Sequence, residues 1–322
     1  MKRRLIIGSI ISLIFLFLAI RGIRWSEFVS VLGDTRYWIL LPAAVLTIIG
    51  HYFRAYRWKF MLLPVKRIGT WSLFSATVIG LMANNLLPAR LGEIVRVFVI
   101  GKSEAISKSA SLATIVYERV VDVFALLALL WLMLLTSTGP EWLQRSGLIV
   151  LGLNVALLFF LLFMERYRDS SAKLMNYVAR PLPESLRARL VGTLENFAQG
   201  LGSLRDGKVL IPLAAVSVLV WLAPILRAYL CFIAMGIDIP FIASISIIVL
   251  VSLGSMIPSA PGYIGTTQYA CVLAMAIYGV GKGEALAYSI LFHVTQLVPN
   301  TLVGLYFLWR AGMKFGDLSK RY

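Results

Sequence analysis

The sequence predicts an all-α polytopic integral membrane protein, with about six full spans and two re-entrant helical hairpins that are broken by proline and glycine. Of the 322 residues, 59% are hydrophobic and only 14% are charged, whereas soluble domains are roughly 45 to 50% apolar and about 25% charged. Apolar runs long enough to cross a bilayer recur along the chain, and the basic residues concentrate in alternate connections. This composition excludes a soluble or a disordered chain.

The predicted spans follow from the lengths of the apolar runs, since a transmembrane helix needs about 20 mostly apolar residues. The first run follows Lys2-Arg3-Arg4 and is predicted to be an uncleaved helix, because no small-x-small cleavage site comes after it. Two other regions are interrupted by Pro and Gly, and such breaks are tolerated at membrane depth only where protein or water satisfies the backbone. The predicted spans are 5–22, 37–58, 109–135, 147–164, 209–235 and 285–309, and the broken hairpins are 70–101 and 240–279.

The excess of basic residues is predicted to reflect orientation in the membrane. Lys and Arg outnumber Asp and Glu by 31 to 15, a formal net charge of +16. With a cytoplasmic N-terminus, 22 Lys/Arg fall on cytoplasmic segments and 5 on external ones, as the positive-inside rule requires. We expect a multi-pass protein of the cytoplasmic (inner) membrane, with both termini cytoplasmic and no nucleic-acid partner. The cytoplasmic segments are 2–4, 54–67, 102–108, 166–208 and 310–321.

The chain is predicted to be a single membrane domain, 1–322, that contains an inverted-topology repeat. Repeat 1 covers 37–135, repeat 2 covers 209–310, and the polar segment 165–208 is predicted to be a cytoplasmic amphipathic connector or a docking site for a partner. Opposite topology of two such units is typical of secondary transporters, whereas a duplication relic or Pro-kinked helices are the alternatives. The matched residues are Arg54-Ala-Tyr with Arg227-Ala-Tyr, Pro88 with Pro261, Gly92 with Gly265, and, with gaps, Ser111, Glu118 and Asp122 with Ser289, Gln296 and Asn300.

Three charged residues, Glu118, Arg119 and Asp122, interrupt the otherwise apolar span 109–135. At about 100° per residue they share one helical face, and ionisable groups at membrane depth are unfavourable unless they are paired or hydrated. We expect this face to point inward and to form a charge network, while a self-neutralising structural cluster is the alternative. The matched Gln296 and Asn300 complete the network, and the candidate partners of the remaining carboxylate are Arg54, Arg90, Arg227 or a proton.

The two hairpin tips are predicted to form a headgroup site. Guanidinium groups near helix N-termini suit phosphate, although Arg90 and Arg96 could instead snorkel to the cytoplasmic surface. Glu93 follows a glycine at the start of a short helix, where capping of exposed N–H groups is the alternative role. The second tip is polar but uncharged. The candidate headgroup residues are Arg54, Asn84, Asn85, Arg90, Glu93, Arg96, Arg227, Tyr229, Thr266, Thr267 and Gln268.

The sequence contains no recognisable catalytic or metal-binding motif, and we expect no cofactor and no enzymatic activity. The two cysteines are predicted to be small buried hydrophobes, and the two histidines to be polar packing residues, with proton coupling as the alternative. The competing hypothesis is a membrane-embedded lipid transferase or hydrolase that uses Glu93, Glu118 or Asp122 as a general base. The cysteines and histidines are Cys231, Cys271, His51 and His293.

These residues resemble a known family, the flippase-like transmembrane domain of lysylphosphatidylglycerol synthases and its stand-alone relatives. The resemblance covers nearly the whole chain and implies that the domain moves a lipid across the bilayer. Gln268 departs from the family, which usually has Glu there, and the soluble aminoacyl-transferase domain is missing, so lysyl transfer is not expected. The motifs that carry the resemblance are Pro88-Ala-Arg-Leu-Gly-Glu93 with Arg96, Glu118-Arg-Val-Val-Asp122, and Pro261-Gly-Tyr-Ile-Gly265.

The residues and the resemblance together predict a flippase-like transporter that moves an anionic or glycosylated lipid between leaflets. Its headgroup would occupy a polar cavity between the two tips while its hydrocarbon chain stays in the bilayer. The expected partners are membrane lipids with a phosphate or sugar headgroup, and a lipid-biosynthesis enzyme is a second candidate partner. A scaffold that contacts such an enzyme through 165–208 is a further alternative.

Overall fold

The computed structural model describes residues 2–87, 91–136 and 207–313, together with a few isolated positions between 145 and 184. The predicted span 147–164, the connector 165–208 and Arg90 therefore lie wholly or largely outside the described residues. The helices in the described ranges are α1 (Lys2–Ile20), α2 (Trp25–Asp34), α3 (Leu40–Leu62, preceded by the 3₁₀ turn Tyr37–Ile39), α4 (Thr70–Leu86), α5 (Gly92–Glu104), α6 (Lys108–Thr136), α7 (Gly207–Met235), α8 (Ile242–Gly254), α9 (Thr266–Ala276) and α10 (Lys282–Arg310).

Long apolar helices confirm the predicted fold class, an all-α polytopic membrane protein. Four helices in the described ranges have the length and hydropathy of a membrane span: α3 with its preceding turn, α6, α7 and α10. Residues Ile6–Ile20 of α1 and the short helix α2, which was not predicted, form a fifth candidate that is bent by 89°. Helix α3 continues to Leu62, beyond the predicted end at residue 58, and the added residues Met61 and Leu62 are buried in the protein.

The two Pro/Gly-broken regions each form a pair of short helices, α4 with α5 and α8 with α9. These helices contain 11 to 17 residues, so they are about 17 to 26 Å long, which is less than the roughly 30 Å hydrocarbon thickness of a bilayer. The two helices of each pair pack against one another. The second break also contains the 3₁₀ turn Pro261–Tyr263. The predicted interruptions are thus present in both regions.

A glycine lies at the start of the second helix of each pair, as the first residue of α5 and as the residue just before α9, and an amide side chain accepts a hydrogen bond from its N–H group. At Gly92 a Cβ atom would lie only 2.5 Å from the Asn84 side chain, and Asn84 Oδ1 accepts a 2.8 Å hydrogen bond from the Gly92 N–H. Gly265 has a φ of +87°, which favours glycine, and its N–H donates to Gln268 Oε1 at 2.7 Å. At each break, one N–H group at the helix N-terminus is therefore satisfied by a side chain.

The helices form two units with the same order of elements, α3 to α6 and α7 to α10, each consisting of a long helix, a short pair and a long helix. One apolar core lies mainly within the first unit, and another lies mainly within the second unit and includes part of α1. Helix α3 packs against α7, α4 packs against α10, and α8 packs against α6. Each short pair therefore touches the last helix of the other unit. The opposite orientation of the two units in the membrane stays a prediction.

Candidate functional site

A cavity of about 490 Å³ lies between the two units, and its volume is within the range of about 300 to 1,000 Å³ that is usual for ligand sites. All eight helices from α3 to α10 contribute side chains to its wall. Part of the wall is apolar, with residues such as Leu126, Val220 and Met256. The remainder is polar and includes these sequence-predicted residues: Arg54, Asn84, Asn85, Glu93, Arg119, Asp122, Arg227, Thr267, Gln296 and Asn300.

Glu118 lies behind the cavity wall, where its side chain is 0% exposed. Its Oε2 atom is 2.8 Å from Arg96 Nη1, and its Oε1 atom is 3.5 Å from Arg57 Nη2 and 3.9 Å from Arg54 Nε. The Arg96 guanidinium also stacks on the Trp58 ring at 3.7 Å. A buried carboxylate is tolerated only when nearby cations compensate its lost hydration, and these three arginines supply that compensation.

Arg119 joins two further carboxylates at the cavity wall. Its Nη2 atom donates to Glu93 Oε1 at 2.6 Å, and its Nη1 atom donates to Asp122 Oδ2 at 3.4 Å. Arg57 Nη2 lies 2.7 Å from Asp122 Oδ1, so Asp122 connects the Arg119 pairs to the buried Glu118. The predicted shared face of α6 is thus turned inward. We call this set the ion cluster; it consists of Arg54, Arg57, Arg96, Arg119, Glu93, Glu118 and Asp122.

Arg227 occupies the position in the second unit that Arg54 occupies in the first, but its surroundings are neutral. The residue is only 3% exposed. Its Nη1 atom donates to the Phe292 carbonyl oxygen at 2.7 Å and to Thr295 Oγ1 at 3.2 Å, and its Nη2 atom donates to Gln296 Oε1 at 3.0 Å. Within the described ranges no carboxylate forms a salt bridge with Arg227. Its positive charge is therefore hydrogen-bonded but not neutralised.

Both histidines face the cavity and have polar partners. His51 Nε2 is 2.5 Å from Asn300 Oδ1, a contact that joins α3 of the first unit to α10 of the second. His293 Nδ1 is 3.1 Å from Gln268 Nε2. These contacts agree with the predicted polar packing role. In the part of the chain that the structure describes, no group of three or more His, Cys, Asp or Glu side chains is placed to hold a metal ion.

Several predicted headgroup residues lie away from the cavity. The Tyr229 ring packs against Phe241, with 5.2 Å between ring centroids, and the Thr266 hydroxyl donates to the Tyr263 carbonyl oxygen. Arg96 belongs to the buried ion cluster and does not snorkel. Gln268 is buried between the second tip and His293, so it supports the wall without lining it.

The first tip and α3 each show a contact that the sequence analysis did not predict. The alternative role of Glu93, capping of α5, is not observed, because its carboxylate is bound to Arg119 and Asn84 accepts the hydrogen bond from the Gly92 N–H group. Arg57, in the predicted cytoplasmic segment 54–67, is 0% exposed and contacts two carboxylates. Its position three residues after Arg54 was an available signal, since residues at i and i+3 share a helical face.

The fold and the cavity define a class, a polytopic α-helical membrane protein with a charged cavity between two helix-hairpin-helix units. Within this class, the chain belongs to the family described as Lysylphosphatidylglycerol synthase TM region, which matches residues 5–304. This match confirms the resemblance that was inferred from the sequence motifs.

Relatives at low identity cover most of the chain. It is 26% identical to a UPF0104 membrane protein of Methanothermobacter thermautotrophicus, over 78% of this chain and 79% of that protein. It is 26% identical to a UPF0104 membrane protein of Pyrococcus horikoshii, over 94% of this chain and 96% of that one. It is 23% identical to Glycosyltransferase AglD of Haloferax volcanii, over 93% of this chain but 53% of that protein. No solved structure matches the chain significantly.

Proposed function

We propose that this protein is a flippase-like lipid transporter that moves an anionic or glycosylated lipid between the leaflets of the cytoplasmic membrane. The observation that carries the proposal is the cavity between the two units, which combines apolar walls with Arg54 and Arg227. An amphiphile needs both surfaces, because its headgroup requires polar partners and its chain requires an apolar path. Arg227 has no carboxylate partner among the described residues, which favours an anionic headgroup.

The two units supply a physical route for such movement. Secondary transporters built from inverted repeats bind substrate between the repeats and alternate access by moving one repeat against the other. Here, each short helix pair packs against the last helix of the other unit, so a shift of either pair changes the cavity wall. In the proposed mechanism the headgroup crosses through the cavity while the hydrocarbon chain stays in the bilayer, and the ion cluster holds the first unit together.

The family and one relative support lipid or glycolipid handling. The family description refers to the synthase of a phospholipid, and the H. volcanii relative is named a glycosyltransferase. That relative extends well beyond the region it shares with this chain. We propose that the shared membrane region handles the lipid, and that a lipid-biosynthesis enzyme acts on the same lipid as its partner.

Leaflet-resolved lipid movement in proteoliposomes tests the proposal. A fluorescent anionic phospholipid analogue is placed in both leaflets, and a membrane-impermeant quencher reports how fast the inner pool reaches the outer leaflet. We expect the wild-type protein to accelerate this step and the double variant Arg54→Gln with Arg227→Gln to lose the acceleration. Arg24→Gln is the matched control, because Arg24 is 76% exposed and pairs only locally with Glu27. Equal rates for wild-type protein and the double variant would overturn the proposal.

An enzyme remains the second candidate because three carboxylates lie at or beside the cavity. Glu93 and Asp122 line it, but both are bound to Arg119, and an ion-paired carboxylate is a weak general base. Mass spectrometry of a lipid incubated with the purified protein separates the two candidates, since transport leaves the mass of the lipid unchanged. A scaffold would instead lose a pull-down partner when 165–208 is deleted.

A further inference from the structure

The ion cluster and Arg227 together carry more positive charge than their carboxylates neutralise. The cluster contains four arginines and three carboxylates, which leaves one positive charge, and Arg227 adds a second. Buried or half-buried charges of one sign are unfavourable without compensation. A ligand with about two negative charges would balance the surplus of these eight residues.

The surplus is located on Arg54 and Arg227. Arg54 reaches Glu118 only through Nε at 3.9 Å, while the closest partner of that carboxylate is Arg96 at 2.8 Å. No described residue accepts a hydrogen bond from the Arg54 guanidinium, and its side chain is 22% exposed. Arg227 bonds only to neutral oxygen atoms. Both guanidinium groups therefore have capacity for an anion.

A short chain of contacts connects these two arginines across the cavity. His51 lies one turn before Arg54 on α3 and contacts Asn300 on α10 at 2.5 Å. Gln296 lies one turn before Asn300 and accepts the hydrogen bond from Arg227 at 3.0 Å. The five residues His51, Arg54, Arg227, Gln296 and Asn300 all line the same cavity, which places both guanidinium groups on the wall of one site.

Guanidinium groups offer several hydrogen-bond donors to one ligand. Each guanidinium carries five N–H donors in a fixed fork and accepts no hydrogen bond, and both Arg54 and Arg227 line the cavity. Two guanidinium groups suit a group with several acceptor oxygens, such as a phosphate.

We propose that the cavity selects a lipid whose headgroup ends in a phosphate monoester. Such a group carries about −1.5 to −2 charges at neutral pH and three acceptor oxygens, which match the two surplus arginines. A phosphodiester headgroup supplies only one negative charge. A zwitterionic or aminoacylated headgroup introduces positive charge beside the two arginines. This inference rests on the proposed function, since it names the lipid that the transporter accepts.

Competitive lipid binding tests the selectivity directly. Detergent-purified protein is mixed with equal amounts of phosphatidic acid, phosphatidylglycerol and phosphatidylcholine that share the same acyl chains, and native mass spectrometry measures the bound lipids. We expect phosphatidic acid to exceed phosphatidylglycerol by about tenfold, because its second negative charge strengthens the hydrogen bonds from the two arginines. Arg54→Gln and Arg227→Gln should each reduce this ratio several-fold, while Arg24→Gln should leave it unchanged.

The outcomes separate this inference from the proposed function. Equal binding of phosphatidic acid and phosphatidylglycerol overturns the proposed selectivity for a phosphate monoester. A preference for phosphatidic acid that both arginine variants retain overturns it as well. If the proteoliposome assay still shows acceleration, transport then stands without this selectivity. If none of the three lipids moves faster with the protein than without it, transport is overturned, even if selective binding is found. Thermal unfolding of each variant confirms that a lost preference does not come from lost folding.

Discussion

The two units place different chemistry at matched positions of their last helices. Helix α6 of the first unit carries Glu118 and Asp122, whereas helix α10 of the second unit carries Gln296 and Asn300. The arginine that each unit contributes from its first helix meets these different partners: Arg54 approaches the Glu118 carboxylate, and Arg227 donates to the Gln296 amide. The two units thus share the order of their helices but differ in charge at these positions.

This difference shows how the same order of helices can stabilise the protein in one unit and present a positive charge to the cavity in the other. Carboxylates neutralise arginines from α3 and α5, so the first unit is held together by ion pairs inside the protein. Amides orient Arg227 by hydrogen bonds without neutralising it, so the second unit keeps a positive charge at the cavity. A guanidinium that is held by hydrogen bonds but is not neutralised is suited to bind an anion reversibly. The predictions below test this contrast.

The largest expected effect is loss of stability when the carboxylate of the first unit is removed. Glu118→Gln leaves Arg57 and Arg96 buried without their closest shared anion, and removal of one partner from a buried ion pair costs about 3 to 5 kcal/mol. Thermal unfolding in detergent should show a strongly lowered midpoint. Gln296→Ala is the matched control in the second unit and should cost only about 1 kcal/mol, because it removes one of several hydrogen bonds. Equal losses would contradict the contrast between the units.

The next largest effect is on lipid binding. It is expected when the amide beside Arg227 is replaced by a carboxylate, which is the group found at the matched position of the first unit. Gln296→Glu places a carboxylate beside Arg227 and neutralises it. We expect binding of phosphatidic acid to fall by about tenfold or more, while the unfolding midpoint does not decrease. Gln296→Met, which is similar in size and uncharged, should retain most of the binding. Unchanged binding in Gln296→Glu would show that Arg227 does not meet the headgroup.

A smaller effect compares the two hairpin tips. Asn84→Ala removes the acceptor of the Gly92 N–H group, and Gln268→Ala removes that of Gly265, so each should cost about 1 to 2 kcal/mol. Amide hydrogen exchange distinguishes the sites: Asn84→Ala should accelerate exchange at Gly92 but not at Gly265, and Gln268→Ala should do the reverse. Accelerated exchange at both glycines in either variant would mean that the two tips are not independent.

The smallest effect is expected outside both units. Arg24→Gln removes an exposed pair with Glu27 at 2.9 Å, and exposed pairs contribute between about 0 and 1 kcal/mol. Thermal stability and lipid binding should both stay close to wild type. A large change in either would show that the segment before the first unit takes part in the site.

Much of the fold could be predicted from the sequence because it depends on local patterns. Four spans, both interrupted regions and the inward face of Glu118, Arg119 and Asp122 follow from apolar length, from Pro and Gly, and from helical periodicity. The first tip was less predictable. Whether Glu93 caps a helix or pairs with Arg119 depends on a residue 26 positions away in the chain, and no local pattern contains that information.

The partners of Arg57 and Arg96 also could not be predicted from the number and positions of charges along the sequence. Arg57 belongs to the predicted cytoplasmic segment 54–67, and its contacts with Glu118 and Asp122 are set by the packing of α3 against α6. Arg96 could equally well have reached the surface. Its burial is decided by Trp58 and Glu118, which belong to other helices.

The sequence by itself determined the class of the protein, the long apolar helices of its two units and the positions of the two breaks, since each of these follows from composition, periodicity or spacing. Only the tertiary structure decided which charges meet. It paired Glu118 with Arg96 and Arg57, left Arg227 among neutral oxygens, and joined His51 to Asn300 across 249 residues of chain. The physical reason is that electrostatic and hydrogen-bond partners are selected by distance in space, and that distance is set only when the helices pack.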